Sequence, residues 1–288
     1  MANLKELRSR ITSVSSTMQI TSAMKMVSAS KLSKAQDAIT AMRPYAEKLT
    51  QLLQDLSATL DDESGSKFAE NREVKKVLVV AISSNKGLAG AFNTNIIKAV
   101  KQLQQDEYQA KNIQLLTLGK KANDILSKTF DIYGNDNDIF DDLTFDKVAV
   151  IAEDLMQAFV DGKYDKIVLV YNHFKNAATQ IVKKEQFLPI EQFESEEKKN
   201  VQLDYIFEPS KLAIVKDLIP KSLKMQLYKA LRDSFASEHG ARMTAMHKAT
   251  ENATELRDDL KLSYNKARQA SITNEILEIV GGAEALSN

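Results

Sequence analysis

The chain has 288 residues, 43% of them hydrophobic, enough for one ordinary packed core together with extended helices. Its 39 basic and 39 acidic side chains cancel, which removes the global charge excess that would point to nucleic acid or an acidic lipid surface. There is no cysteine, so disulfides, thiolate metal sites and thiol-based regulation are excluded.

The start, Met1-Ala2-Asn3-Leu4-Lys5-Glu6, is charged and amphipathic rather than signal-like, and no run of about 18 apolar residues could span a bilayer. Leu4, Leu7, Ile11, Val14, Met18, Leu32, Ala35, Ile39, Met42, Ala46, Leu49, Leu53, Leu56 and Leu60 keep one alternating three-four register. With no proline before Pro44 and no glycine before Gly65, this predicts a coiled-coil helix of about 57 residues, roughly 85 Å long. Ile11 to Met24 carries no charge, a surface that forms few ion pairs with whatever surrounds it or, equally, a buried segment rich in small residues. There Thr21, Lys25 and Ser28 fall on the seam while Ile20, Met24 and Val27 pull the apolar stripe aside, which predicts a change of contacts.

Asp61 to Ser66 is a polar break. Beyond it the pattern is α/β: strands at Val77 to Ile82, Ile113 to Leu118 and Lys166 to Tyr171, and helices at Ala91 to Leu103, Lys120 to Ser127 and Lys147 to Val160. Thr179 to Phe187 and Val201 to Phe207, around the polar loop Glu194 to Asn200, read as strands at an antiparallel edge of a mostly parallel sheet. The expected fold class is α/β, a central Rossmann-like domain carrying a long antiparallel coiled coil of the N- and C-terminal helices. Its expected domains are 1–62, 63–208 and 209–288.

Glu208-Pro209-Ser210 closes the sheet domain, and Pro220 either starts the last helix or kinks it. Met246, Ala249, Ala253, Leu256, Leu260, Ser263, Ala267 and Ala270 continue a three-four seam of small residues. Counted from Ser210 to Leu286, this helix reaches roughly 115 Å and outruns the first by about 20 residues, roughly 30 Å. Its tip holds Ile272, Ile276, Leu277, Ile279, Val280, Ala283, Ala285 and Leu286, apolar at too many angles for one partner helix to cover. Another protein with a deep socket is implied.

Little in between suggests chemistry. Ser83 to Asn93 sits where a phosphate loop would, after a strand and before a helix, but lacks both Gly-Lys-Ser/Thr and Gly-x-Gly-x-x-Gly, so a tight turn is the better account. Asp131, Asp136, Asp138, Asp141 and Asp142 lack the glycine and final glutamate of a calcium loop and read as a solvated turn. His239 and His247 are two turns apart, too far for a metal pair, and read as surface or seam residues; His173 stands alone. No catalytic, cofactor-binding or metal-ligating set is expected.

Three stretches carry a resemblance that extends over essentially the whole chain. Leu4 to Ile11 with Ile20 to Val27, Gly87-Leu88-Ala89-Gly90-Ala91-Phe92-Asn93, and Tyr264-Asn265-Lys266-Ala267-Arg268-Gln269-Ala270-Ser271-Ile272-Thr273-Asn274-Glu275 continuing to Ala283 resemble the gamma subunits of F-type ATP synthases. The resemblance implies a central rotor shaft, not itself an enzyme, that couples ion-driven rotation of a c-subunit ring to the beta catalytic subunits. It implies one copy inside three alpha and three beta subunits, with an epsilon subunit beside it. Membrane association runs through the c ring only, at the cytoplasmic face of a bacterial plasma membrane, and no nucleic acid or cofactor is involved. By position in the matching motifs, Met24, Lys25, Arg268, Gln269, Thr273, Glu275 and Glu278 are the expected contacts to the alpha/beta ring, and Tyr205, Phe207 and Glu208 those to the c ring and epsilon. Gln19 stands where the family usually has lysine, Ala89 replaces a frequent cysteine, and the short thiol-free Glu194 to Asn200 loop is unlike the redox-regulated chloroplast form. Two rival readings are a non-rotary coiled-coil adaptor with an α/β head, which predicts a self-sufficient dimer, and a nucleotide-binding enzyme, which predicts binding at Gly87 to Gly90.

Overall fold

The computed structural model describes residues 4–57, 67–70, 72–109, 111–190 and 211–287. The expected break at Asp61 to Ser66, the loop Glu194 to Asn200, the strand Val201 to Phe207 and the segment Glu208 to Ser210 lie outside the described residues, as do the side chains of Leu53, Leu56, Leu60, Ala285 and Leu286. The elements are α1 (Leu4–Ser57), β1 (Lys76–Ile82), α2 (Phe92–Asp106), β2 (Asn112–Leu118), α3 (Lys120–Leu126), β3 (Asp131–Asp136), α4 (Phe145–Val160), β4 (Lys166–Phe174), β5 (Gln180–Leu188) and α5 (Lys211–Ser287). They divide into two compact units, one of Ala29–Arg242 and one of Met1–Ser28 with Met243–Asn288. Among the described residues no helix is apolar enough over sufficient length to cross a membrane.

In the larger unit five strands lie in the order β3-β2-β1-β4-β5. All neighbours pair parallel except β4 and β5, which are antiparallel. β1 and β4 are central and covered on both faces, which is why they read as nearly unbroken apolar runs. Alternation splits their side chains between two cores. Leu78, Val80 and Ile82 join Leu155 and Phe159 of α4 and Leu223, Leu227 and Leu231 of α5; Val77, Val79 and Ala81 join Ile96, Val100 and Leu103 of α2 and Leu126 of α3. Gly119 after β2 is required: its φ is +107°, and a Cβ would meet the Ser83 carbonyl oxygen at 2.4 Å.

Three expectations are corrected here. Asp131–Asp136, read as a solvated acidic turn, is a strand paired parallel with β2, its register shifting between Leu115 and Leu116. As an edge strand with few apolar residues it carries almost no burial pattern. Pro220 does not start α5, which begins nine residues earlier at Lys211 and contains the proline within it. His239 is not a surface residue but is buried in the larger unit.

In the smaller unit the seam of α1 runs through Leu4, Leu7, Ile11, Val14, Met18, Thr21, Lys25 and Ser28. The expected sideways shift of the stripe does not occur: Ile20 and Val27 are exposed, while Thr21 and Ser28 are buried. The hydroxyls can stay because they are satisfied. Thr21 Oγ1 lies 3.1 Å from the Met18 carbonyl oxygen and 2.8 Å from Thr250 Oγ1, and Ser28 donates to the Met24 carbonyl at 2.8 Å. On α5 the seam is rotated by one residue from the expected one at every second step. Thr250, Arg257, Tyr264 and Ser271 are part-buried, whereas Leu256, Ser263 and Ala270 are exposed.

Candidate functional site

Cross-helix contacts set the register of the smaller unit. Thr21 meets Thr250 at 2.8 Å, Lys25 Nζ meets His247 Nδ1 at 3.3 Å, and an Arg257 guanidinium nitrogen lies 3.5 Å from Met18 Sδ. In an antiparallel pair each step toward Leu4 is one step toward the end of α5, so Leu4 falls opposite residues near 267–271. About 16–20 residues of α5, roughly 24–30 Å, therefore extend past it. Over that length Ile272, Ile276, Leu277, Ile279 and Val280 are between 48% and 72% exposed.

The tip is two-faced. At about 100° per residue, Ile279, Ile272, Ala283, Ile276, Val280 and Leu277 fall within an arc of about 160°, and Glu275, Glu278, Asn274 and Ser271 fall opposite it. Of the expected ring contacts, Gln269 and Thr273 lie inside the apolar arc, Arg268 at its edge, and Glu275 and Glu278 on the acidic side; all five are exposed. Thr273 donates its hydroxyl to the Gln269 carbonyl at 2.9 Å, and Ser271 Oγ donates to Glu275 Oε1 at 3.3 Å. Met24 and Lys25 are part-buried on α1. Tyr205, Phe207 and Glu208 lie outside the described residues.

The larger unit has a second place where function could sit, the reversal of strand order between β1 and β4, where open α/β sheets bind ligands. Here α5 occupies it. Arg242 donates to the carbonyls of Lys86 at 3.1 Å and Gly87 at 3.3 Å and to Glu238 Oε1 at 2.6 Å. Ser237 Oγ donates to the Asn172 carbonyl at 3.0 Å, and Asn172 Nδ2 to the Phe92 carbonyl at 3.2 Å. The turn before α2 thus presents carbonyls to a guanidinium rather than N–H groups to a phosphate, and Leu88 takes φ +61° within it. This bears out the reading of Ser83 to Asn93 as a tight turn.

Nearby, Asp233 is buried with Oδ2 2.5 Å from His173 Nδ1; burial pushes its carboxyl up, opposed by His173. Burial likewise pushes Glu238 up, opposed by Arg242. His239 packs edge-on against Phe235, with ring centroids 4.5 Å apart. Burial, reinforced by Arg242, lowers its imidazole to about 4. Sequence reasoning missed Asp233, Glu238 and Arg242 as buried groups; the available signal was Gly240, a glycine inside a helix, where a Cβ would come within 3.2 Å of Ala177. Among the described residues no three His, Asp or Glu side chains come together as metal ligands.

A family model described as ATP synthase matches residues 3–286. The chain is 83% identical to the ATP synthase gamma chain of Christiangramia forsetii over 287 residues, covering 100% of each. Among solved structures it is similar to a chain of the Tetrahymena thermophila mitochondrial ATP synthase central stalk and c ring, with 29% identity, a TM-score of 0.60 and coverage of 80% of this chain and 99% of that one. It shares the fold of a chain from the Euglena gracilis mitochondrial ATP synthase, with 24% identity, a TM-score of 0.69 and coverage of 98% and 94%. Matched end to end by sequence and sharing its helix-sheet-helix architecture, the chain belongs to the ATP synthase gamma-chain family.

Proposed function

We propose that this chain is the central rotor shaft of an F-type ATP synthase, a non-catalytic subunit that couples rotation to the conformations of surrounding catalytic subunits. One observation carries the reading: an apolar arc at the end of α5 that extends beyond α1 and is left exposed by the chain's own described residues. Its intended surroundings are one ring of three alpha and three beta subunits, met by Met24, Lys25, Arg268, Gln269, Thr273, Glu275 and Glu278. The foot, with Tyr205, Phe207 and Glu208, meets the c ring and epsilon. Attachment to the cytoplasmic face of a bacterial plasma membrane runs through that ring.

The two-faced tip supplies a mechanism. A subunit facing the apolar arc and one facing Glu275 and Glu278 experience different contact free energies, so each is biased toward a different conformation. Turning the shaft exchanges those faces and redistributes nucleotide affinity around the ring. The shaft does no bond chemistry. Reconstitution with alpha and beta chains tests this: removing residues 272–288 weakens assembly or torque, while single surface substitutions there change little. Coupled ATPase activity that survives removal of both long helices unchanged contradicts it.

A further inference from the structure

We propose that His247 is a positioning residue for Lys25, holding its ammonium against α5 when the imidazole is neutral and releasing it when the imidazole is protonated. The inference rests on the rotor reading, in which Lys25 faces the surrounding ring. Lys25 occupies a seam position of α1, four residues after buried Thr21 and three before buried Ser28. Its Nζ lies 3.3 Å from His247 Nδ1, and His247 Nε2 lies 3.5 Å from Glu251 Oε1.

An ammonium has three donors and no acceptor, so the Lys25 contact is a hydrogen bond only if Nδ1 offers its lone pair. The single ring proton then sits on Nε2, toward the Glu251 carboxylate, and one neutral tautomer satisfies both contacts. A second proton can enter only at Nδ1, the atom that Lys25 contacts. It turns the acceptor into a donor and sets two like charges against each other. Among the described residues, the charged groups at contact distance from His247 are Lys25 from α1 and Glu251 from α5; the adjacent Thr21 and Thr250 pair is neutral.

Glu251 holds the imidazolium in place, so the side chain that leaves is Lys25, on its flexible four-carbon stem. That release adds a free ammonium beside the uncharged Ile11 to Met24 girdle, where few ion pairs otherwise form.

Nitrogen-15 NMR of the full chain, with His247→Gln to assign the ring, tests the contact. At high pH the Nε2–H tautomer is expected. Lys25→Met, which removes the donor to Nδ1, moves the Nδ1 resonance toward that of a ring nitrogen without a hydrogen bond. An Nδ1–H tautomer, or an Nδ1 resonance unchanged in Lys25→Met, overturns the proposal. In the complex reconstituted with alpha and beta chains, the pH profile of ATP hydrolysis tests the regulation. The amide oxygen of His247→Gln accepts from Lys25 at every pH, so this variant loses the acid-side inflection and at pH 6 runs about twofold faster than the wild type. Profiles that superimpose overturn the regulatory half. Failure of the wild-type chain to join the ring contradicts the rotor reading instead and leaves the NMR result to decide the His247 contact.

Discussion

Two segments of α5 invert the usual rule for what is inside and what is outside. Leu223 to Arg242 is mostly buried although it contains Asp233, Ser234, Ser237, Glu238, His239 and Arg242. Arg268 to Ala283 is largely exposed although it contains Ile272, Ile276, Leu277, Ile279 and Val280. The buried segment pairs most of its polar groups, Asp233 with His173, Ser237 with the Asn172 carbonyl and Arg242 with the Lys86 and Gly87 carbonyls, while Ser234 Oγ and His239 Nε2 are buried without a hydrogen-bond partner among the described residues. The exposed segment has no such provision. On the function proposed above its apolar surface is finished by a partner, and the contrast then separates a helix that completes its own domain from one that completes someone else's.

Removing a partner in the buried segment is the strongest way to break the contrast. Arg242→Ala leaves Glu238 buried without its counter-charge and is expected to lower chain stability by about 3–5 kcal/mol in denaturant unfolding. Replacing both, as Glu238→Gln with Arg242→Met, costs much less, and an equal loss in the two variants contradicts the pairing argument. Next comes Leu231→Ala, fully buried, with an expected loss of about 2–5 kcal/mol.

A titration sharpens the same side of the contrast. The folded His239 imidazole lies at about 4, below its ordinary 6.5, so the unfolded chain takes up that proton first. Its contribution is full above 6.5 and is lost as pH falls toward 4, on the order of 3 kcal/mol in total. Asp233 and Glu238, both pushed up, work in the opposite sense on acidification. The comparison is therefore between the stability–pH slopes of wild type and His239→Gln, and identical slopes remove His239 from the account. The smallest effect belongs to the tip: Ile276→Ala is expected to change the stability of the isolated chain by no more than about 0.5 kcal/mol. A loss there as large as that of Leu231→Ala means the tip is packed within the chain.

How much of this was legible follows from where each residue's partner lies. β1, β2 and β4 and the helices between them show in the sequence because their apolar periods are local, and their observed bounds fall close to those expected. β3 does not show, since Ile132 and Tyr133 are its only large apolar residues and an edge strand needs little more. The α5 seam was misplaced because apolarity is a poor guide where hydroxyls satisfy themselves on their own helix: Thr250, bonded to the Met246 carbonyl at 2.8 Å, lines the seam while Leu256 faces out. Glu238 and Arg242 stand four residues apart on a helix, the spacing of an ordinary surface pair, and only what packs around them makes them buried. The tip was readable for the opposite reason. Its excess of apolar surface is evident without knowing any partner, and the register through Thr21 and Thr250 is what turns it into an overhang.

The absence of native cysteine allows one marker to be attached at a single introduced site. With Lys175→Cys labelled and the alpha/beta ring immobilised, the angle of the marker is followed during ATP hydrolysis. The account predicts stepwise rotation in one direction; a marker that stays fixed while ATP is hydrolysed contradicts it.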